Sequence, residues 1–228
     1  MNIAVLFSAG KDSTFALFKV LKEGHRVPCI ISIHTYNDES LLYHFPNSHL
    51  FKKISECLEI PIIERYCKSI AKEDEMDQLT SSINEAISKY SIKGVAHGAI
   101  SSKFQLNIFK NICFNLKLEL YSPLWNIEPN KYFNELFNSN FEILIIKVAA
   151  LGLDDSWLGK IIDKTNYQKL KDLSEKYKFN ITFEGGEAET MIIDCPLYNQ
   201  KIKIVKSMKH WDGIRGTFEI LDATLIRK

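Results

Sequence analysis

Short runs of apolar residues alternate, in the first half of the chain, with segments whose apolar residues recur every three or four positions. Continuous apolar runs are typical of strands buried on both faces, and the three-to-four spacing is typical of helices. The runs predict strands at 3–7, 29–33, 60–64, 94–100 and 118–121. The spacing predicts helices at 14–22, 50–58, 76–90 and 104–115. Such alternation predicts an α/β fold built on a doubly wound parallel sheet.

The pattern changes after Pro123. A long strand-like run, "FEILIIKVAALGL", precedes a helical stretch near residues 167–177, and the glycine- and glutamate-rich "FEGGEAETMIIDCPLY" follows. Two more β-like segments end the chain. We therefore predict two domains, a parallel α/β domain at 1–124 and a smaller α+β domain at 125–228.

The stretch "FSAGKDSTF" links the first predicted strand to the first predicted helix. It is not a Walker A loop, because Val5 stands where that motif has its first glycine and Asp12 where it has serine or threonine. A well-capped strand-to-helix turn is one interpretation. Anion binding is the other, since ligands of open α/β sheets bind where strands end and helices begin. Lys11 supplies a charge there, and Gly10 permits close approach to a phosphate.

"SAGKDS" resembles the S-G-G-K-D-S loop of the N-type ATP pyrophosphatases. The resemblance implies an adenine nucleotide alpha hydrolase-like fold in which residues 8–13, here named the phosphate loop, hold the pyrophosphate of ATP. Ala9 replaces the commoner glycine, and a positive φ there would cost about 1 kcal/mol. The nucleotide-binding residues expected are Ser8, Ala9, Gly10, Lys11, Asp12 and Ser13, with Ile33 and His34 beside the adenine. Mg²⁺ is the expected metal, with Asp12 as its ligand.

Further segments are similar to the diphthine–ammonia ligase family in order and spacing, over nearly the whole chain. They are "EDEMDQL", "HGAISSKFQ", "IIKVAALGLD", "LGK" and "EGGEAETMIIDCPLY". The resemblance implies that a carboxylate attacks ATP to give an acyl-adenylate and pyrophosphate, after which free ammonia displaces AMP. In this family the substrate is diphthine, a modified histidine on translation elongation factor 2. An amidating ligase for another carboxylate, or a non-catalytic nucleotide sensor, are the alternatives.

The resemblance also assigns site residues. Lys11, Glu187 and Glu189 are the expected catalytic residues, and we expect Glu187 or Glu189 to face the phosphate loop. The expected substrate-binding residues are Glu75, Asp77, Gly98, Ser101, Gln105, Gly152, Asp154, Glu184, Gly185, Gly186, Thr190 and Asp194. Residues 184–194 are here named the acidic segment, and a solvated acidic turn is their simpler interpretation. For Glu75 and Asp77 the simpler interpretation is the helix dipole, which favours acidic residues at a helix start. His97 is interpreted as a structural histidine.

Charge and cysteine content narrow the class of protein. The net charge of +1 argues against a nucleic-acid-binding surface, and no apolar stretch approaches the roughly 20 residues that cross a bilayer. The five cysteines are dispersed, which argues against tRNA-thiolating enzymes and sulfonucleotide reductases. Without a signal-peptide pattern, the expected location is the cytoplasm. A homodimer is a hypothesis that the sequence leaves open.

Overall fold

The computed structural model of the chain describes residues 1–34, 47–69 and 71–228. The described residues form two compact units. Residues 1–34, 59–69 and 71–126 belong to the first unit, and residues 47–58 and 127–228 belong to the second. A short segment from between the second and third strands of the first unit is therefore part of the second unit.

The first unit contains a five-stranded sheet in which every neighbouring pair is parallel. Its strands are β1 Ile3–Leu6, β2 Ile30–His34, β3 Ile62–Tyr66, β4 Gly94–Ala96 and β5 Glu119–Tyr121. The order β3-β2-β1-β4-β5 reverses direction at β1, as in doubly wound sheets. This arrangement confirms the predicted α/β fold class.

Helices cover the sheet of the first unit. They are α1 Lys11–Lys22, α3 Lys72–Tyr90 and α4 Lys103–Asn115, while α2 Phe51–Leu58 lies in the second unit. Leu79, Ile83 and Ala86 of α3 pack in one buried cluster with Ile31 and Ile33 of β2. The apolar positions that indicated a helix at 76–90 are thus the side that α3 buries.

The second unit combines helices with antiparallel strands, as expected for an α+β domain. Its helices are α2, α5 Pro129–Asn138 and α6 Lys164–Tyr177. Its strands are β6 Glu142–Val148, β7 Ile161–Ile162, β8 Ala188–Asp194, β9 Gln200–Trp211 and β10 Gly216–Arg227. Strand β6 is central, since β7, β8 and β10 all pair with it in antiparallel register. Strands β9 and β10 form a long hairpin with a bulge.

Side-chain and backbone hydrogen bonds attach residues 47–58 to the second unit. The amide of Asn47 donates to the Phe218 carbonyl at 3.2 Å and accepts from the Ile220 N–H at 2.8 Å. The Asn199 N–H donates to the Cys57 carbonyl at 2.8 Å. Asn47 is completely buried, so its amide satisfies backbone groups of β10 that water cannot reach.

Within the described residues, no helix is both long and apolar enough to cross a membrane.

Candidate functional site

The phosphate loop leaves the end of β1 and enters α1. The Phe7 N–H donates to the Ile31 carbonyl at 2.8 Å, which extends the strand pairing to the edge of the loop. Ala9 then adopts φ 60°, in the left-handed region, where an alanine costs about 1 kcal/mol. Gly10 caps α1 without a side chain. No N-cap oxygen therefore competes with a ligand for the first N–H groups of the helix.

The two serines of the loop fix its conformation. The Ser13 hydroxyl accepts from the Ser8 N–H at 3.1 Å, lies 3.1 Å from the Ser8 hydroxyl and donates to the Gly10 carbonyl at 3.3 Å. Thr14 also donates its hydroxyl to that carbonyl, at 2.8 Å. The sequence pointed to the serine hydroxyls as ligand donors. In the structure they also hold the loop closed, which preorganises its backbone N–H groups.

Lys11 and Asp12 place opposite charges at the start of α1. The Lys11 side chain is only 2% exposed, and its Nζ lies 2.9 Å from Asp12 Oδ2. Mg²⁺ is commonly held by one or two carboxylates together with substrate phosphates, so Asp12 is chemically suited to the predicted role. In residues 1–34, 47–69 and 71–228, no group of three or more His, Cys, Asp or Glu side chains is placed to hold a metal ion.

Gly98 lies directly against the phosphate loop. A Cβ atom built on it would stand 2.7 Å from the Asp12 carbonyl carbon and 2.7 Å from the Ser13 nitrogen. Position 98, two residues after the end of β4, therefore has to be a glycine for the loop backbone to lie where it does. Next to it, buried His97 accepts from the Ala99 N–H at 3.1 Å and lies 2.7 Å from the Ser122 hydroxyl. These contacts fit the structural interpretation of His97.

The predicted adenine region lies at the ends of β2 and β3. Ile33 is buried in the core cluster, so its side chain faces the protein interior. His34 is 9% exposed, and its Nε2 lies 2.9 Å from Glu64 Oε1. Its ring stacks on Tyr66 with centroids 4.7 Å apart. Glu64 and Tyr66 were not expected from the sequence, where they lay inside or just past a predicted strand.

The remaining candidates of the first unit lie at two helix starts. Glu75 is buried in the first turn of α3, whereas Asp77 is exposed. The nearby Asp74 accepts hydrogen bonds from the Gln78 side chain and from the backbone N–H groups of residues 69 and 68, and these bonds lower its pKa. At α4, Ser101 is exposed and the Ser102 hydroxyl caps the helix by accepting from the Gln105 N–H at 3.4 Å.

Two of the motifs meet in the second unit, at one end of β6 and β8. The Glu187 carbonyl accepts from the Ala149 N–H at 2.8 Å and from the Ala150 N–H at 3.2 Å. The Glu187 carboxylate accepts from the Asn180 N–H at 3.1 Å and the Gly185 N–H at 2.8 Å. Both carboxylate oxygens of Glu187 thus hold the turn that precedes β8. Sequence reasoning gave this carboxylate only a chemical role.

Glu189 pairs with a lysine that the sequence did not single out. Antiparallel pairing places Lys147 of β6 opposite Glu189 of β8, and Lys147 Nζ lies 3.0 Å from Glu189 Oε1. Each side chain is 15% exposed, so the pair is largely shielded from water. The sequence did contain one indication of this pair, a lysine inside an apolar strand, because a buried charge requires a partner.

The remaining candidates of the acidic segment differ in how far they are buried. Thr190 is buried, Glu184 is half-buried and Gly185 is exposed. Gly186 has φ 81°, which favours glycine. At the far end of β8, Asp194 Oδ1 pairs with Lys228 Nζ at 2.6 Å.

The loop after β6 carries the last two candidates. Gly152 has φ 94°, and a Cβ there would stand 2.2 Å from the Tyr177 ring. Asp154 begins the short 3₁₀ turn Asp155–Trp157 by accepting from the Ser156 N–H at 3.0 Å and the Ser156 hydroxyl at 2.5 Å. These hydrogen bonds lower the pKa of Asp154. Both residues therefore shape the loop.

Comparison with known proteins covers both units. A family model described as the diphthamide synthase N-terminal domain matches residues 1–120, and one described as the C-terminal domain matches residues 128–226. The chain belongs to the diphthamide synthase family. Both models match in the order expected, so the family resemblance drawn from the motifs is confirmed.

Several named relatives in this family are similar to this chain over most of its length. The diphthine–ammonia ligase of Rattus norvegicus is 32% identical over 222 residues, covering 90% of this chain and 83% of the relative. The diphthine–ammonia ligase of Mus musculus is 33% identical, covering 91% and 84%. The Schizosaccharomyces pombe diphthine–ammonia ligase is 29% identical, and the match covers 36% of its longer chain.

Proposed function

We propose that this protein is an ATP-dependent ammonia ligase that converts diphthine to diphthamide on elongation factor 2 in the cytoplasm, releasing AMP and pyrophosphate. Family membership supports the ligase activity, and the relatives that carry the name diphthine–ammonia ligase support the substrate. The single structural observation behind the proposal is the phosphate loop. Its left-handed Ala9, uncapped helix start and buried Lys11 form an anion site where β1 ends.

The proposed reaction has two steps. A carboxylate oxygen of diphthine attacks the α-phosphorus of ATP, and the bond from that phosphorus to the pyrophosphate oxygen breaks. Ammonia then attacks the acyl carbon, loses a proton, and displaces AMP to leave an amide. Helix N–H groups and Lys11 would stabilise the departing pyrophosphate, because its negative charge grows as that bond breaks. Mg²⁺ bound at Asp12 would supply further neutralisation of phosphate charge.

Glu187 and Glu189 are the proposed catalytic residues of the second unit. Lys147 Nζ lies 3.0 Å from Glu189 Oε1, and this contact fixes the orientation of the Glu189 carboxylate. An anion of this kind is suited to hold ammonium or to accept the proton that ammonia loses. Glu187 contributes through the turn that its carboxylate closes.

The experiment is a product assay with ATP, Mg²⁺, ammonium and elongation factor 2 bearing diphthine. We expect AMP and pyrophosphate in equal amounts and amide on the factor. Lys11→Ala should slow the reaction by at least roughly tenfold, as expected for losing a charge-assisted contact. Lys22→Ala, at the exposed end of the same helix, is the matched control and should keep wild-type activity.

Three outcomes would count against this assignment. Formation of ADP in place of AMP would contradict adenylation. If AMP formed only with another carboxylate, the assignment as a ligase would stand and the assignment of diphthine as its substrate would be wrong. Nucleotide binding without turnover on any carboxylate would favour a sensor.

A further inference from the structure

An exposed aromatic side chain stands at the end of the edge strand of the parallel sheet. Tyr66 ends β3 and is 64% exposed. Its ring lies nearly parallel to that of His34, with an angle of 18° between the ring planes. Glu64 Oε1 lies 2.9 Å from His34 Nε2 and accepts from the Tyr66 hydroxyl at 3.4 Å.

Two direct contacts, with the His34 ring and the Glu64 carboxylate, thus hold the Tyr66 ring while most of its surface stays open to solvent. Burial and the neighbouring Glu64 raise the pKa of Tyr66 above 10, so its hydroxyl keeps the proton that it donates. A held ring loses little conformational freedom when a second ring stacks on it. The open surface of Tyr66 is therefore prepared to receive a flat aromatic group.

Strand register places this ring relative to the phosphate loop. His34 pairs with Tyr66, and Leu6 at the end of β1 pairs with Ile31. Neighbouring strands lie about 4.8 Å apart, so β3 is roughly 10 Å from β1, the strand that feeds the loop. Both lie at the carboxyl edge of the sheet, where α/β proteins bind their ligands. An extended nucleoside triphosphate spans a separation of this size between its base and its terminal phosphates.

We propose that the adenine of ATP stacks on the open side of Tyr66 while the phosphates occupy the phosphate loop. His34 and Glu64 act as positioning residues that hold the ring. This inference rests on the proposed function, because it takes ATP as the nucleotide. It adds the residue on which the base stacks, beyond Ile33 and His34, which the sequence placed beside the adenine.

The test is equilibrium binding of two probes, ATP and inorganic tripolyphosphate, measured by calorimetry. Tyr66→Ala should weaken ATP binding by roughly tenfold, as expected for removing an aromatic ring from beneath a base. Tripolyphosphate has no base, so its affinity should stay unchanged. Tyr66→Phe keeps the ring and should bind ATP within about threefold of the wild type.

Phe114→Ala is the matched control. Phe114 is 83% exposed in the last turn of α4, in the same unit, and its removal should change neither affinity. Equal losses for ATP and tripolyphosphate in Tyr66→Ala would overturn the proposal, since they would indicate a disturbed loop. If Tyr66→Ala bound ATP as well as the wild type while Lys11→Ala bound it more weakly, the stacking proposal would be overturned. The proposed function would still stand. If Lys11→Ala instead bound both probes normally, the assignment of residues 8–13 as the phosphate-binding loop would be wrong.

Discussion

Gly98→Ala should damage the phosphate loop without removing any group that binds or reacts. The new Cβ would lie 2.7 Å from two backbone atoms of Asp12 and Ser13, and 2.9 Å from the Asp12 carbonyl oxygen. Unstrained contacts between carbon atoms are about 3.5 Å or longer, so the overlap is roughly 0.8 Å. The obstructing atoms are backbone atoms, which cannot rotate away. The strand end or the loop must therefore move by about that distance.

The displacement predicts two measurable losses. Overpacking at this scale costs about 1–3 kcal/mol, which should appear as a lower free energy of unfolding in urea. A shift approaching 1 Å in groups that position a substrate lowers turnover by about 100-fold, which the AMP assay would detect. The backbone of Gly98 is not left-handed, so steric overlap alone is responsible.

Gly94→Ala, in the strand β4 that leads to Gly98, provides the control. Its Cβ would lie 3.0 Å from the Glu119 carbonyl oxygen and 3.3 Å from the end of the Met1 side chain. This variant should lose stability, while the protein that remains folded should form AMP at the wild-type rate. Wild-type turnover in Gly98→Ala would refute the reasoning, because the loop would then accommodate a Cβ atom at position 98 without losing its active geometry.

Three further predictions test single features of the two units. Ala9→Gly should destabilise the protein by about 1 kcal/mol less than Ala16→Gly, as judged by urea unfolding, because only Ala9 has a positive φ to relieve; equal losses would contradict this. Glu189→Gln should lower the rate of AMP formation by at least roughly tenfold while ATP affinity stays within about twofold, and a loss confined to ATP affinity would contradict its proposed role. Hydrogen bonds from Ser156 lower the pKa of Asp154 below 3.8, so they stabilise the fold above that pH and are lost as the pH falls through the folded-state pKa. Asp154→Asn should therefore lose less stability than the wild type between about pH 5 and pH 2, as measured by unfolding at each pH; parallel curves would exclude this contribution.

Local patterns predicted much of the fold. The apolar run at 29–33 became β2, and the helical spacing at 76–90 became most of α3. The start of α3 lies four residues earlier, at Lys72, in a stretch with no apolar periodicity. Helix α5 was missed, although Glu128 and Pro129 form a recognisable helix start, with the Glu128 carboxylate accepting from two backbone N–H groups.

The phosphate loop was predictable because its residues are adjacent in sequence. The partner of Glu189 was not, because Lys147 reaches it only through the register of β6 and β8. The use of the Glu187 carboxylate likewise depends on the turn that brings the Asn180 N–H to it. The expectation that Glu187 or Glu189 faces the phosphate loop stays a prediction.

The position of α2 has a consequence for how the chain folds during synthesis. Residues 47–58 leave the ribosome early, yet Asn47 bonds to Phe218 and Ile220 of β10, the last strand. Closing so long a loop is entropically costly and slow, which raises the contact order of the second unit. The first unit, by contrast, has all its strands once residue 121 has emerged. A fragment limited to residues 127–228 would lack α2 and leave the backbone groups that Asn47 satisfies without their partner. The second unit therefore completes its fold only after both residues 47–58 and β10 have been synthesised.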